Sequence, residues 1–339
     1  YLLVNPIAQA AVKAITKLRP NIQDGYLRQR AAEDASARLT IASPRCRIDD
    51  KVAITSEGAE IPIRVFTPLD IDFSLRNGLH VNEDFEGTIL FFHGGGFANG
   101  DIDFYTDTCM KMALKLNRRV VSVDYRRSPE YKFPAALVDC YEVARQLFAR
   151  ELLDDVDPEH IVLFGDSAGG NLAASVSLLA RELGEFTPRT QILLYPLVYN
   201  DHTLTSMFDS VRENGEDYIL TREDINGYVD LYLSSPEDFF NPYFAPLLEE
   251  DLSHQPRTLV VTAEYCPLRD EGETYAARLE LEGNEVECVR MLNAIHGYFL
   301  YPSVVVFVRD TYKIIESFLD HQPLPQEDDA TWLALLGTD

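Results

Sequence analysis

Three things are scarce in this chain: cysteines, basic residues and long apolar runs. The five cysteines are odd in number and irregularly spaced, which is not the pattern of a disulfide framework or a zinc site. This usage is typical of a reducing compartment, so we expect a cytoplasmic protein. No apolar run approaches the ~18 residues that a membrane-spanning helix needs, so we expect no membrane span.

Basic residues are outnumbered by acidic ones, 30 to 55, and the net charge is −25 at pH 7. A charge of this sign disfavours binding to nucleic acid and to anionic membranes. The sequence also contains no Walker loop, no G-x-G-x-x-G and no H-E-x-x-H motif. We therefore expect no cofactor, neither a nucleotide nor a metal.

What the chain does contain is an alternation of apolar strand patterns and helical patterns. Strands are predicted at 88–93, 119–124, 160–165, 190–195, 257–263 and 285–291, and helices at 104–116, 135–149, 168–183, 271–282 and 303–319. Such alternation indicates an α/β fold with a mostly parallel central sheet flanked by helices. Upstream, the stretches 52–55 and 61–66 alternate as a hairpin would, and 70–86 is interpreted as an irregular loop.

The most informative stretch runs from Ile161 to Leu172. A short apolar strand leads into Gly165-Asp-Ser167-Ala-Gly169, and an alanine-rich helical pattern follows. A G-x-S-x-G between strand and helix places the serine on a tight turn above the carboxyl edge of a sheet. The alternative is a Gly-Ser turn that merely begins an ordinary helix.

A second glycine stretch follows the strand at 88–93. There His93 precedes three glycines, and their unshielded N–H groups can point at a single atom. A tetrahedral oxyanion needs two or three such donors. We assign this oxyanion hole to Gly95, Gly96 and Ala168; the alternative, a flexible loop, is disfavoured by the serine motif that accompanies it.

These motifs together resemble the hormone-sensitive-lipase-like carboxylesterases, a branch of the α/β-hydrolases. The resemblance runs from about Ile54 to Leu319. It is carried by His93-Gly-Gly-Gly96, Asp124-Tyr-Arg126, Pro134-Ala-Ala136, Gly165-Asp-Ser-Ala-Gly-Gly170, Asn241–Leu248, Leu268–Glu271 and His296-Gly297. It implies an α/β-hydrolase fold and a serine carboxylester hydrolase that acts on short-chain acyl or aryl esters through an acyl-enzyme.

The resemblance also implies a helical cap built from two segments. We divide the chain into N-terminal cap helices at 1–45, a core at 46–199 and 236–321, a cap insertion at 200–235 and a tail at 322–339. Within the insertion, Thr221 and Asp224 resemble a helix-start signature. Five aromatic residues of the insertion region are candidates to line an acyl pocket, or else pack in the core or on the surface: Tyr199, Phe208, Tyr218, Tyr228 and Tyr232.

A catalytic serine needs a base, and the base needs a group that orients it. His296 follows a predicted strand and lies C-terminal to Ser167, as the order serine, acid, histidine requires. We assign it as the base. His93 is interpreted as a structural hydrogen-bonding residue, Asp166 as a brace for the glycine loop, and Asp139 as a helix residue that ties the core together.

The acid position departs from the family pattern. The segment Glu264-Tyr-Cys266-Pro-Leu-Arg-Asp270 has a cysteine where the resembled family has the triad aspartate. A neutral thiol offers no charge, and in another hydrolase a neutral group at this position lowers kcat by about 10⁴. Asp270 or Glu264 could substitute, although Asp270 is expected to cap the following helix.

The sequence therefore supports two functions of different kinds. The first is a carboxylesterase, impaired by Cys266, and the second is a non-catalytic small-molecule binding protein on the esterase fold. The expected partner is a small ester, and a homodimer through a sheet edge is possible on a sheet of this kind.

Overall fold

The computed structural model describes residues 6–19, 21–74, 78–302, 304–325 and 331–337. Parts of the predicted N-terminal segment, of the loop at 70–86, of the helix at 303–319 and of the C-terminal tail lie outside the described residues. In chain order the elements are α1 (Pro6–Leu18), α2 (Ile22–Ala37), β1 (Cys46–Ile54), β2 (Glu60–Pro68), β3 (Asp70–Ser74), β4 (Gly78–Asn82), β5 (Thr88–Phe92), α3 (Thr106–Leu116), β6 (Arg119–Val123), α4 (Ala135–Phe148), β7 (Ile161–Asp166), α5 (Ala168–Leu183), β8 (Thr190–Leu194), α6 (Asp209–Asn214), α7 (Arg222–Tyr232), β9 (Arg257–Tyr265), α8 (Arg269–Leu281), β10 (Val286–Ile295), α9 (Val306–Leu319) and β11 (Trp332–Leu336).

A central nine-stranded sheet organises the chain, in the order β1-β2-β6-β5-β7-β8-β9-β10-β11. Six strands, β5 to β10, are parallel to one another, whereas β1, β2 and β11 join at the edges in antiparallel pairs. Every residue of β5, β6 and β7 is buried, because helices cover both faces of a parallel sheet. The predicted α/β fold, its six parallel strands and its five core helices are confirmed.

The helices α2 and α7 come from distant parts of the chain and pack directly on each other. A Cβ on Gly227 of α7 would lie 2.5 Å from a methyl carbon of Ile22, so the absence of a side chain permits this close approach. Gln23 Nε2 donates to Asp230 Oδ2 at 2.8 Å across the same interface. Helix α7 begins with the predicted capping box between Thr221 and Asp224.

The interpretation of residues 70–86 as an irregular loop is wrong. This region contains the antiparallel hairpin of β3 and β4, with Ile71 paired to Val81. The physical signal was present in the sequence, because Ile71, Phe73, Leu79 and Val81 alternate with polar neighbours at the strand period of two. The hairpin forms a separate two-stranded sheet.

Candidate active site

The turn between β7 and α5 holds Ser167 in a conformation that few non-glycine residues adopt, with φ of 56° and ψ of −118°. Crossing backbones exclude any side chain beside it. A Cβ on Gly169 would lie 1.9 Å from the Phe92 carbonyl oxygen, and one on Gly165 would lie 2.0 Å from the Gly169 carbonyl oxygen. Ser167 is half-buried, so the turn presents its hydroxyl at the end of the sheet.

The glycine loop after β5 is fixed by the residue that precedes the serine. Asp166 accepts hydrogen bonds from the Gly94 N–H at 2.9 Å and from the Tyr105 hydroxyl at 3.0 Å. Burial raises the pKa of Asp166 to about 7. The expected brace is therefore present, and Tyr105 is a member of it that sequence reasoning missed.

Three backbone amides beside the serine have no hydrogen-bond partner in the part of the chain that the structure describes. Gly95 and Gly96 have φ of 115° and 60°, in the region of positive φ that favours glycine. Within the described ranges, the N–H groups of Gly95, Gly96 and Ala168 donate to no backbone or side-chain acceptor. All three residues line the same cavity as Ser167.

His93 is buried beneath this loop and contacts the loop backbone. Its Nδ1 lies 2.7 Å from the Gly94 carbonyl oxygen, and its ring stacks on Tyr125 with centroids 4.2 Å apart. Burial lowers the pKa of His93 to about 4. Its contacts are those of the structural residue that the sequence predicts.

His296 lies between Ser167 and Cys266 and contacts both. Its Nε2 is 2.9 Å from Ser167 Oγ, and its Nδ1 is 3.1 Å from Cys266 Sγ. Burial lowers the pKa of His296 to about 3 and raises the pKa of the Cys266 thiol well above its ordinary value. The structure thus brings together the three residues that the sequence placed at the triad positions. With these pKa values, His296 and Cys266 are both neutral near pH 7.

Neither carboxylate proposed as a substitute contacts His296. Asp270 bonds to Arg269 Nε at 2.7 Å and accepts the Ser210 N–H at 2.7 Å. Glu264 Oε2 accepts the Asn293 N–H at 2.7 Å. The expectation that Asp270 caps a helix is also wrong, because α8 begins at Arg269, two residues before the predicted start, and its cap residue Leu268 makes no side-chain cap bond.

A buried pair that sequence reasoning missed links the core to the segment that follows β8. Glu271, in the first turn of α8, accepts the N–H groups of Val198 at 2.7 Å and Tyr199 at 3.1 Å. Its other oxygen lies 2.6 Å from Nε2 of His202. No local pattern marks such a pair, since its members are 69 residues apart.

Asp139 is fully buried and binds Arg126, as expected of a residue that ties the core together.

A cavity of about 450 Å³ opens onto Ser167. Its walls come from the glycine loop, the serine turn, helices α2 and α7 and the loop after His296. Among its lining residues are Gly95, Gly96, Ala168, Tyr228, Leu268 and His296. Tyr228 is the member of the five aromatic candidates that lines this cavity. A Cβ on Gly96 would lie 2.3 Å from its ring, so Tyr228 packs directly on the glycine loop.

The other four aromatic candidates follow the alternative interpretation and pack against neighbouring side chains. Tyr232 stacks on Phe97 with centroids 3.8 Å apart, Tyr199 packs edge-on against Phe208, and Tyr218 stacks on Tyr265.

Among the described residues, no cluster of three or more histidine, cysteine, aspartate or glutamate side chains is arranged to hold a metal. None of the helices in these ranges combines the length and apolar character that crossing a bilayer requires.

Comparison with known proteins gives matches over most of the chain. A family model described as the alpha/beta hydrolase fold matches residues 89–300. An arylesterase of Saccharolobus solfataricus is 35% identical over 82% of this chain and 86% of its own length. An ethyl acetate hydrolase of Pseudomonas putida is 28% identical over 82% of this chain and 84% of its own. The structure of a hyperthermophilic esterase from Pyrobaculum calidifontis superposes with a TM-score of 0.77 at 31% identity, over 94% of this chain and 98% of that one.

Proposed function

The chain belongs to the alpha/beta-hydrolase family and is a carboxylesterase of its hormone-sensitive-lipase-like branch, and we propose that it cleaves short-chain acyl or aryl esters through an acyl-enzyme on Ser167. The observation that carries the mechanism is the 2.9 Å approach of His296 Nε2 to Ser167 Oγ. This distance lies within the hydrogen-bond reach that a general base requires.

In the proposed reaction, Ser167 Oγ attacks the acyl carbonyl while His296 Nε2 takes the hydroxyl proton. The unpartnered N–H groups of Gly95, Gly96 and Ala168 stabilise the oxyanion that forms. His296 then gives the proton to the departing alcohol, and water, activated by the same nitrogen, releases the acid and frees Ser167.

The size of the cavity favours small substrates. A volume of about 450 Å³ must hold both the acyl group and the alcohol. Tyr228 closes one side of it against the glycine loop, which leaves little room for a long acyl chain. Two of the relatives are named for an aryl ester and for ethyl acetate, and we extend that substrate class to this chain.

We propose that the reaction is slow because Cys266 occupies the acid position. A carboxylate would stabilise the imidazolium that forms as Ser167 loses its proton, whereas the buried thiol is neutral. Loss of that charge lowers kcat by about 10⁴ in another serine hydrolase, which corresponds to about 5.5 kcal/mol.

The five cysteines are free and buried, and this favours the predicted cytoplasmic location.

We propose the division of the chain made from the sequence, with a cap formed by 1–45 and 200–235. In support, residues of α2 and α7, which are distant in the sequence, both line the cavity at Ser167. The tail at 322–339 is the last segment of this division, and its strand β11 extends the central sheet.

The test compares the parent with Ser167→Ala on p-nitrophenyl acetate, butyrate and octanoate. We expect slow turnover by the parent, with kcat/KM falling from butyrate to octanoate, and loss of all enzymatic turnover in Ser167→Ala. A fluorophosphonate probe should label the parent at Ser167 and leave the variant unlabelled.

A second function, non-catalytic binding of a small molecule, is favoured by the contacts of His296, which within the described ranges include no carboxylate. In that case the parent would neither turn over the esters nor react with the probe. Turnover that persists in Ser167→Ala would remove the proposed nucleophile.

A further inference from the structure

The hydrogen-bond partners of Cys266 Sγ determine where its proton can go. Among the described residues the sulfur has two polar contacts, His296 Nδ1 at 3.1 Å and the N–H of Leu268 at 3.4 Å. The Leu268 N–H can only donate. Nδ1 is therefore the one acceptor within reach of the thiol proton in the described part of the chain, and Cys266 is itself fully buried from water.

We infer that the Cys266 thiol donates to Nδ1 of His296 and thereby holds the imidazole proton on Nε2, facing Ser167. The hydrogen bond from the thiol to Nδ1 does not depend on the proposed function, whereas its consequence for catalysis rests on that function. This is the opposite of what a carboxylate does, since a carboxylate accepts from Nδ1–H and leaves the Nε2 lone pair free.

Two arrangements of the protons compete, because the thiol and the imidazole are both neutral. If Nδ1 carries the ring proton, it donates to the sulfur, and the buried S–H then has no acceptor. If Nε2 carries it, the S–H bonds to Nδ1, and Nε2–H bonds to Ser167 Oγ. The serine proton must then find water, which it can do because Ser167 is half-buried at an open cavity.

Burial therefore decides between the two arrangements. In each arrangement one proton has no acceptor among the described residues of the protein. The Ser167 hydroxyl proton can bond to water instead, whereas the Cys266 thiol proton cannot, because Cys266 is fully buried. In the resting enzyme, Ser167 Oγ consequently accepts from His296, and the nitrogen that should act as the base is already protonated. Only the fraction of molecules with the proton on Nδ1 can react, and the apparent rate falls by that fraction.

This account differs from loss of charge alone in what it predicts for neutral replacements. Cys266→Ser keeps a donor at the position and should keep the Nε2–H form. Cys266→Ala removes the donor and leaves space for a water, which can accept from Nδ1–H as well as donate to Nδ1, so the bias toward Nε2–H is lost. We expect kcat of Cys266→Ala to exceed that of the parent by at least about threefold, because a larger fraction of molecules is competent. A charge-only account predicts no gain for either variant.

The direct test is ¹⁵N NMR of the full chain labelled at its histidines, with His296 assigned by comparison with His296→Gln. In the parent and in Cys266→Ser, we expect Nε2 to be the protonated, pyrrole-type nitrogen and Nδ1 the unprotonated, pyridine-type nitrogen. Cys266→Asp should reverse the two. Ser167→Ala should keep the parent pattern, because Cys266 and not Ser167 sets it.

A protonated Nδ1 in the parent would overturn the inference, as would loss of the parent pattern in Ser167→Ala. These results are distinguishable from failure of the proposed function. A parent with Nε2–H but without turnover or probe labelling would contradict only the esterase mechanism. A parent that turns over esters with its proton on Nδ1 would contradict only the inference.

Discussion

We propose that the identity of residue 266 sets both the rate and the pH range of the reaction. With a neutral thiol at Nδ1, nothing opposes the effect of burial, which lowers the pKa of His296 to about 3. A carboxylate would favour the charged imidazolium and so raise this pKa. The Leu268 N–H that now contacts the sulfur is placed to donate to such a carboxylate.

We predict that Cys266→Asp raises kcat by at least ~100-fold and moves the acidic limb of kcat/KM upward by at least about one pH unit. Activity is lost as the pH falls through the pKa of His296, because the protonated ring cannot accept from Ser167. The measurement is the pH–rate profile of p-nitrophenyl acetate hydrolysis from about pH 2.5 to pH 8, a range that includes the pKa of His296 in the parent. An unchanged rate and limb would mean that another carboxylate already serves His296.

Asp166 gives a second pH effect, on stability. Its pKa is about 7 when folded and about 3.9 when unfolded. Between these values the folded chain holds a proton that the unfolded chain has released, so stability falls as the pH rises. Asp166→Asn can still accept from Gly94 N–H and remains neutral.

We therefore predict that the loss of unfolding free energy between pH 5 and pH 8 is smaller in Asp166→Asn than in the parent by about 2 kcal/mol. Urea titrations of both proteins at the two pH values measure it. His296 and Asp124 also titrate, but they are common to both proteins and cancel in the comparison. Equal pH slopes for the two proteins would contradict the raised pKa.

At the residue scale, sequence reasoning reached the residues that sit in local motifs. Ser167, the glycine loop and Cys266 each lie at a strand end with a recognisable neighbourhood, and His296 follows in the expected order. The contacts of Asp270 and Glu264 could not be read in this way. Whether a carboxylate reaches His296 or turns to Ser210 and Asn293 depends on loops that no local pattern specifies.

Helix α8 is the element that joins the core to the segment after β8. Its Glu271 is fully buried and accepts two backbone N–H groups as well as the contact to His202. Removing this carboxylate would leave a buried N–H donor, a partly buried N–H donor and a buried imidazole without partners. Such loss is costly because those groups remain desolvated.

We predict that Glu271→Ala lowers the unfolding free energy by about 3 kcal/mol. The matched control is Glu280→Ala on the same helix, where the side chain is exposed and the change should lie within about 0.5 kcal/mol. Urea denaturation of the two variants and the parent gives both numbers. A loss in Glu271→Ala no larger than in Glu280→Ala would mean that water replaces the carboxylate at little cost.

At the element scale, the strands and helices with clear periodicity were predictable, and the capping box of α7 was readable from Thr221 and Asp224. The β3–β4 hairpin was missed because its acidic composition outweighed its alternation. The start of α8 was predicted too late in the chain, because Asp270 looks like a cap residue but lies inside the first turn. Composition and single-residue signals were therefore weaker guides than period.

The two edges of the nine-stranded sheet are the whole-molecule feature that the sequence did not reveal. Alternation predicted a parallel sheet, but strand order depends on crossovers between distant segments. The division made from the sequence left the tail at 322–339 without a place in the sheet. In the structure, β11 pairs antiparallel with β10 and occupies that edge, and Trp332 is almost fully buried.

An edge strand with free N–H and C=O groups is a template for pairing with another chain. Beneath β11, strand β10 is apolar and buried at Cys288, Val289 and Met291. The Leu292 N–H, which donates to the Thr331 carbonyl at 2.7 Å, would also lose its partner. Removal of β11 would expose this whole row to a second copy.

We predict that a variant lacking residues 325–339 has a larger mass in solution than the parent, because two β10 edges can then pair. Light scattering after size-exclusion chromatography measures the mass. Leu333→Lys is the matched control, since Leu333 is about half exposed and its replacement leaves the strand in place, so its mass should equal that of the parent. Equal masses for the truncated variant and the parent, with both folded by circular dichroism, would show that β11 is not what keeps the β10 edge from pairing.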